Sequence, residues 1–209
     1  FQGTPYFNYF GGELEFKLMN AMKYDAATLG NHDFDNGIDS LAQQAKNANF
    51  KLLNANYNFD KTPMNGLTQP NHIFNKGKFK IGVFGIGIEL NGLVDPKMFG
   101  KTIHNDPIKE AKYQAEFLKK KGCNLIICLS HLGLKYDSKK VSDTTLAENC
   151  SYIDIVIGGH THSFLEKPIE INSKIAGKTY INQVGWAGIN LGIIDVYEDN
   201  SNSKSMFRL

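Results

Sequence analysis

The sequence has no apolar run near the roughly 18–20 residues that a membrane-spanning helix needs. Its longest, such as Leu125 to Leu129, have the length of buried strands. It also has little charge of either sign in excess, since 23 basic and 21 acidic residues leave a net +2. So close a balance gives no electrostatic basis for an obligate nucleic-acid partner or an anionic membrane surface. Cysteine is scarce. Cys123, Cys128 and Cys150 form no CxxC pair, so zinc-ribbon and thioredoxin-type motifs are excluded. Their odd number argues against a disulfide framework. Cys123 and Cys128 beside an apolar run read as core residues. An initiator Met is missing too, and Phe1 to Tyr6 reads as a loop already under way, with no signal peptide to inspect.

What is present alternates between two periods. Leu14, Leu18, Met19 and Met22 recur at helical spacing after Gly11-Gly12, and Ile38 to Ala48 has helical composition. Asp106-Pro107 is an acidic N-cap followed by proline at the first helical position. Ile108, Ala111, Ala115 and Leu118 continue that helix, and Gly122 ends it. Ser142 caps a short helix to Asn149. Between these lie strand candidates at 26–29, 51–55, 79–86, 124–129 and 153–157. The tail from Lys178 to Tyr197 reads as strands broken by Gly185, Gly188 and Gly192. The segment 56–69 is polar and reads as a surface loop. Buried strands separated by helices predict an α/β fold with helices over sheet faces. A length of 209 residues without a clear linker predicts one domain, 1–209.

The informative histidines share a position in this pattern. Asn31-His32 follows the strand ending at Leu29-Gly30, His131 follows 125–129, and His160-Thr161-His162 follows 155–157 and Gly158-Gly159. Ligands in open α/β sheets bind outside the carboxyl ends of strands. Strands about 4.8 Å apart can bring side chains from three such ends into one small volume. In an extended segment His160 and His162 face one side, so the pair can serve one metal or two adjacent ones. The side-chain-free Gly158 and Gly159 allow close approach. The amide oxygen of Asn31 can complete a metal's ligand set. Asp35, three residues after His32, can accept a hydrogen bond from one ring nitrogen and so orient the other. His72 and His104 lie outside any such motif and read as ordinary surface histidines.

Gly30-Asn31-His32-Asp33, Ser130-His131 and Gly159-His160-Thr161-His162 resemble the GNH[DE], H and GHxH blocks of calcineurin-like metallophosphoesterases. Asn31-His32-Asp33-Phe34-Asp35 resembles the 5'-nucleotidase branch in particular. So do Phe1 to Phe7 and the run Gln183-Val184-Gly185 with Gly188 and Leu191-Gly192. The resemblance implies an α/β fold of four layers, a two-sheet β-sandwich flanked by helices. It implies two divalent metal ions, Zn, Mn, Fe or Co. Asn31, His131 and His160 would bind one and His162 the other. His32 would contact the phosphoryl group with Asp35 as its catalytic partner, and Asn31 and His32 would line the substrate site. The implied reaction is hydrolysis of a phosphate monoester, a nucleotide by this resemblance. A phosphodiesterase using the same site and a non-catalytic binding or regulatory domain are the alternatives.

The departure is at the front. The family's DxH and GDxx blocks, which supply a bridging Asp, do not occur in the sequence. The match at Phe1 places them just upstream, so the domain is expected to be incomplete at its N-terminus. No C-terminal nucleotide-recognition domain is expected within 1–209, which leaves room for a separately encoded partner carrying one. The resemblance implies a periplasmic or cell-surface location.

Overall fold

Alternating apolar residues in two neighbouring stretches build the centre of the molecule. The computed structural model describes residues 5–197. In chain order the elements are α1 (Pro5–Phe10), α2 (Glu13–Ala21), β1 (Ala26–Ala27), a 3-10 turn (Asn31–Phe34), α3 (Ile38–Ala45), β2 (Lys51–Leu52) and β3 (Tyr57–Asn58). Next come β4 (Asn71–Lys76), β5 (Phe79–Ile86), α4 (Pro96–Phe99), β6 (Ile103–His104), α5 (Pro107–Lys120) and β7 (Leu125–Ser130). Then follow α6 (Asp143–Asn149), β8 (Ile155–Ile157), β9 (Ile169–Asn172) and β10 (Lys178–Asn182). Strands β4-β5-β7-β8-β10-β9 form a six-stranded sheet, and β1-β2 and β3-β6 form two-stranded sheets. Within the large sheet β5, β7, β8 and β10 run parallel, and β4 and β9 close its edges antiparallel.

One face of that sheet is covered. Phe84, Ile86, Ile126, Cys128, Val156 and Ile181 pack on Ala111, Ala115 and Leu118 of α5 and Leu146 and Ala147 of α6. Fully burying each large apolar side chain is worth roughly 1.5–3 kcal/mol. Helix α5 starts as its sequence predicts, with Asp106 Oδ1 accepting from the amides of Ile108 at 2.8 Å and Lys109 at 3.0 Å. All three cysteines are free and buried. On the opposite face Ile81, Leu125, Ile127, Ile155 and Ile157 line a broad cavity of about 780 Å³ together with residues of the 182–196 segment.

A second core lies between α2, α3 and the intervening chain, built on Phe16, Phe34, Leu41, Phe50, Tyr57, Phe59 and Met64. Here the reading of 56–69 as a surface loop is corrected. Asn56 is fully buried, and Tyr57, Phe59 and Met64 are buried with it. The polar residues of this stretch are consumed by backbone groups. Asn56 Oδ1 accepts from Gly87 N and its Nδ2 donates to Gly87 O, both at 2.8 Å. Asn54 Oδ1 accepts from the amides of Asn56 and Tyr57. With both polar ends of the Asn56 amide satisfied, the aromatic rings beside it can bury.

Other bounds also differ. The strand candidates at 26–29 and 51–55 shrink to the two-residue β1 and β2. The start of the chain is helical from Pro5, and its first four residues lie outside the described ones. Strands β4 and β9 and helix α4 were not anticipated, because edge strands with polar residues show weak alternation. Of the 178–197 tail, only Lys178–Asn182 is a strand. Beyond it Gly185 and Gly188 take positive φ, and among the described residues the sole further pairing is the bridge of Phe164 with Val184.

The two cores meet where Gly85 of β5 has no side chain. A Cβ there would fall 1.9 Å from the Leu53 carbonyl oxygen, while Ala55 N donates to Gly85 O at 2.8 Å. The obstacle is backbone and cannot swing aside. Gly85→Ala is therefore expected to destabilise the protein by roughly 1–3 kcal/mol, as overpacking does. The measurement is the chemical denaturation midpoint, and an unchanged midpoint would contradict the close approach.

Candidate active site

The parallel strands bring their carboxyl ends into line. Register pairs Ser130 of β7 with Ile86 of β5, Leu129 with Ile157 of β8, and Ile157 with Asn182 of β10. His131 is the first residue past β7, and its amide extends the ladder to Ile86 O at 2.9 Å. Its ring lies against two glycines. A Cβ at Gly30 would come within 2.6 Å of His131 Cε1 and 2.7 Å of Nε2, and one at Gly159 would lie 3.2 Å from Nδ1. The missing side chains make room for an imidazole. Gly158 makes room for something else, since a Cβ there would lie 2.2 Å from Asp143 Oδ2.

The 3-10 turn after β1 is held by Asp33, whose Oδ2 accepts from Gly30 N at 2.8 Å. It presents Asn31, which is buried, with Oδ1 lying 3.0 Å from His160 Nδ1. The His131 and His160 rings are 5.3 Å apart and near-perpendicular at 67°. Asn31, His131 and His160 thus converge from three chain exits. His160 and His162 are not in extended backbone, which corrects the expectation of a common face. Both take positive φ, 67° and 53°. A non-glycine residue held there costs on the order of 1–3 kcal/mol and needs its surroundings to enforce it. His162 is exposed, its ring stacked 6.0 Å from Trp186 at 17°.

His32 Nδ1 lies 2.8 Å from Asp35 Oδ2. With Nδ1–H donating a hydrogen bond to the carboxylate, Nε2 is left for chemistry. Both side chains are over a third exposed, so the bond orients the ring and adds little stability.

Burial pushes the imidazoles of His131 and His160 down from their usual value to about 4. At His131 the Asp33 carboxylate opposes this shift while His160 and His32 add to it, and at His160 Lys140, His162 and His32 add to it. At neutral pH His131 and His160 are therefore neutral, with lone pairs available to a metal. Imidazole nitrogen and an amide oxygen suit borderline divalent ions. Among the described residues, however, no group of three or more His, Cys, Asp or Glu side chains is close enough to hold a metal. Asn31, His131 and His160 fit as part of a ligand set, and neutral donors alone leave the charge of divalent ions unbalanced.

His72 and His104 correct their reading as surface histidines. His104 pairs Nδ1 with Glu89 Oε2 at 2.9 Å and lies 5.8 Å from the Tyr57 ring, because the β3-β6 pair draws it in. His72 is half-buried on β4, 4.6 Å from the Phe74 ring. Sequence reasoning missed Asp143 and Gln183 in this site. Gln183 follows the end of β10 as His131 follows β7, so the strand-end rule applied once more would have found it.

A profile of the calcineurin-like phosphoesterase family matches residues 1–164. The chain belongs to that family. It is 34% identical to a snake venom 5'-nucleotidase of Crotalus adamanteus over 86% of its own length and 30% of the relative's. To a 5'-nucleotidase of Vibrio cholerae it is 36% identical, over 76% of this chain and 30% of that one. The crystal structure of a 5'-nucleotidase precursor from Thermus thermophilus superposes with a TM-score of 0.75 at 29% identity, covering 88% of this chain and 37% of that chain. The chain thus spans about a third of the length of the relatives it matches. Calcineurin-like phosphoesterases use divalent metals, in keeping with the neutral imidazoles here.

The low values of His131 and His160 carry a sign. Between pH 6.5 and about 4 the unfolded chain binds protons at these rings that the folded chain does not, so they lower stability as pH falls through that window. Asp143, which burial pushes up to about 6, works in the opposite sense over much of the same window. In the metal-free protein, NMR titration is expected to find both rings neutral until pH approaches 4. Titration of either near 6.5 would contradict its burial.

Proposed function

We propose that residues 1–209 belong to one catalytic domain, incomplete at its N-terminus, of a metal-dependent phosphomonoesterase of the 5'-nucleotidase type. The observation that carries this reading is the oriented His32–Asp35 pair adjoining the Asn31, His131 and His160 cluster. In it Asn31, His131 and His160 would hold one divalent ion and His162 would contribute to a second. Zn, Mn, Fe and Co all suit such donors. When bound, such ions would supply positive charge for the phosphoryl oxygens and would acidify the attacking water.

The chain's own residues do the remainder. Asp35 accepts a hydrogen bond from Nδ1 of His32, which fixes the ring and aims Nε2. His32 Nε2 then donates to the phosphoryl group or the leaving oxygen as the ester bond breaks. Asn31, neutral and buried, faces the substrate phosphate without repelling it. The names of the relatives support a nucleoside monophosphate as substrate. The venom relatives support an exported location, and among the described residues no helix is long and apolar enough to cross a membrane. A base-recognising partner domain is compatible with the match to only part of each relative.

In the Mn- or Zn-loaded protein, His32→Ala is expected to lower kcat by roughly 10²–10⁴-fold, the scale of a lost general acid. Asp35→Ala should lower it less, with little change in bound metal for either. His131→Ala should lower both. AMP should be cleaved in preference to bis-p-nitrophenyl phosphate. Equal metal loss in all three variants would overturn the division of roles, a clear diester preference would overturn the substrate class, and no turnover with metal bound would favour a binding domain.

A further inference from the structure

The loops carrying His131, His160 and His162 are joined behind the site by one buried carboxylate. Asp143, in the first turn of α6, is fully buried. Its Oδ1 accepts from the hydroxyl of Ser130, the residue before His131. Its Oδ2 accepts from Gln183 Nε2 at 2.8 Å. The same Gln183 turns its Oε1 to the next loop, accepting from Thr161 Oγ1 and Ser163 N, each at 3.2 Å. Thr161 sits between the two histidines, and its hydroxyl also accepts from Leu134 N at 2.9 Å. Backbone closes the unit, with Asp143 N donating to Gly133 O at 2.8 Å. The space for this carboxylate exists because residue 158 is glycine.

We propose that Asp143 and Gln183 form a positioning bracket that fixes His131 relative to the His160–His162 turn, and so sets metal affinity. The proposal rests on the reading of these histidines as metal ligands. Two residues in left-handed backbone, His160 and His162, need an outside restraint. Gln183 supplies it at Thr161 and Ser163. Asp143 has two carboxylate oxygens, and both face donors, so the amide of Gln183 has one orientation only. That orientation leaves its oxygen towards the histidine turn. Hydrogen bonds that orient ligands typically change metal affinity by roughly 10–100-fold, and here they act through Ser130, Thr161 and Ser163, the chain neighbours of the histidines.

The direction of the bond makes the test specific. Asp143→Asn sets a second amide against that of Gln183 or robs Ser130 of its acceptor. Gln183→Glu sets two carboxylates together. The double variant Asp143→Asn/Gln183→Glu reverses donor and acceptor and remakes the bond, with an oxygen still facing Thr161 and Ser163. Mn²⁺ affinity is measured by calorimetry, alongside thermal unfolding of the metal-free protein. Each single variant is expected to weaken Mn²⁺ binding roughly 10–100-fold, with the double variant recovering most of it and kcat at saturating Mn²⁺ staying within a few-fold. If the single variants do not fold, Thr161→Val, which cuts the tie without touching the carboxylate, is measured instead and is expected to weaken Mn²⁺ binding. Loss of thermal stability with unchanged Mn²⁺ affinity would overturn the proposal, as would a double variant that recovers stability and not affinity. His131→Ala separates the two levels. If it leaves Mn²⁺ binding intact, the ligand reading fails; if it abolishes binding and the bracket variants do not weaken it, the bracket alone fails.

Discussion

The imidazole of His131 lies where two different chain exits lack a side chain, and the site is assembled around that fit. Gly30 comes from the exit after β1 and Gly159 from the exit after β8, and His131 itself leaves β7. Three segments far apart in sequence are thus indexed by one ring. The contact at Gly30 is too close for any Cβ. Burial of the ring then keeps it neutral, which a metal ligand requires. Packing, protonation state and ring orientation follow from the same contact.

Around this contact the protein concentrates strain and polar groups that a plain core would avoid. His160 and His162 hold left-handed backbone. Asp143 is a carboxylate with no solvent access. Neither is favourable alone. Ser130 and Gln183 answer the carboxylate, and Gln183 also restrains the histidine turn. The covered face of the sheet, with α5 and α6, gives these groups a rigid base.

Much of this was legible in the sequence. Strands β5 and β7 and helix α5 follow from strong periodicity and an explicit cap, because their packing agrees with local preference. The expectation that side chains at strand ends converge holds for Asn31, His131 and His160, which lie together. The extended-strand alternation failed for His160 and His162, since nothing in Thr161 or its neighbours marks left-handed backbone at two non-glycine residues. The stretch 56–69 misled because its asparagines bond to backbone inside the fold, whereas the same composition on a surface would bond to water. Asp143 and Gln183 are 40 residues apart, and their pairing exists only once β10 lies beside β8. The family resemblance named candidate ligands; the glycine contacts account for why their rings meet.

The central claim, that side-chain-free exits seat the His131 ring, is tested most directly by Mn²⁺ binding to Gly30→Ala and Gly159→Ala. A Cβ would lie 2.6 Å from the ring at the first position and 3.2 Å at the second. The account predicts that both variants stay folded, with Mn²⁺ affinity reduced strongly in Gly30→Ala and less in Gly159→Ala. A folded Gly30→Ala protein that binds Mn²⁺ as tightly as the parent would contradict it.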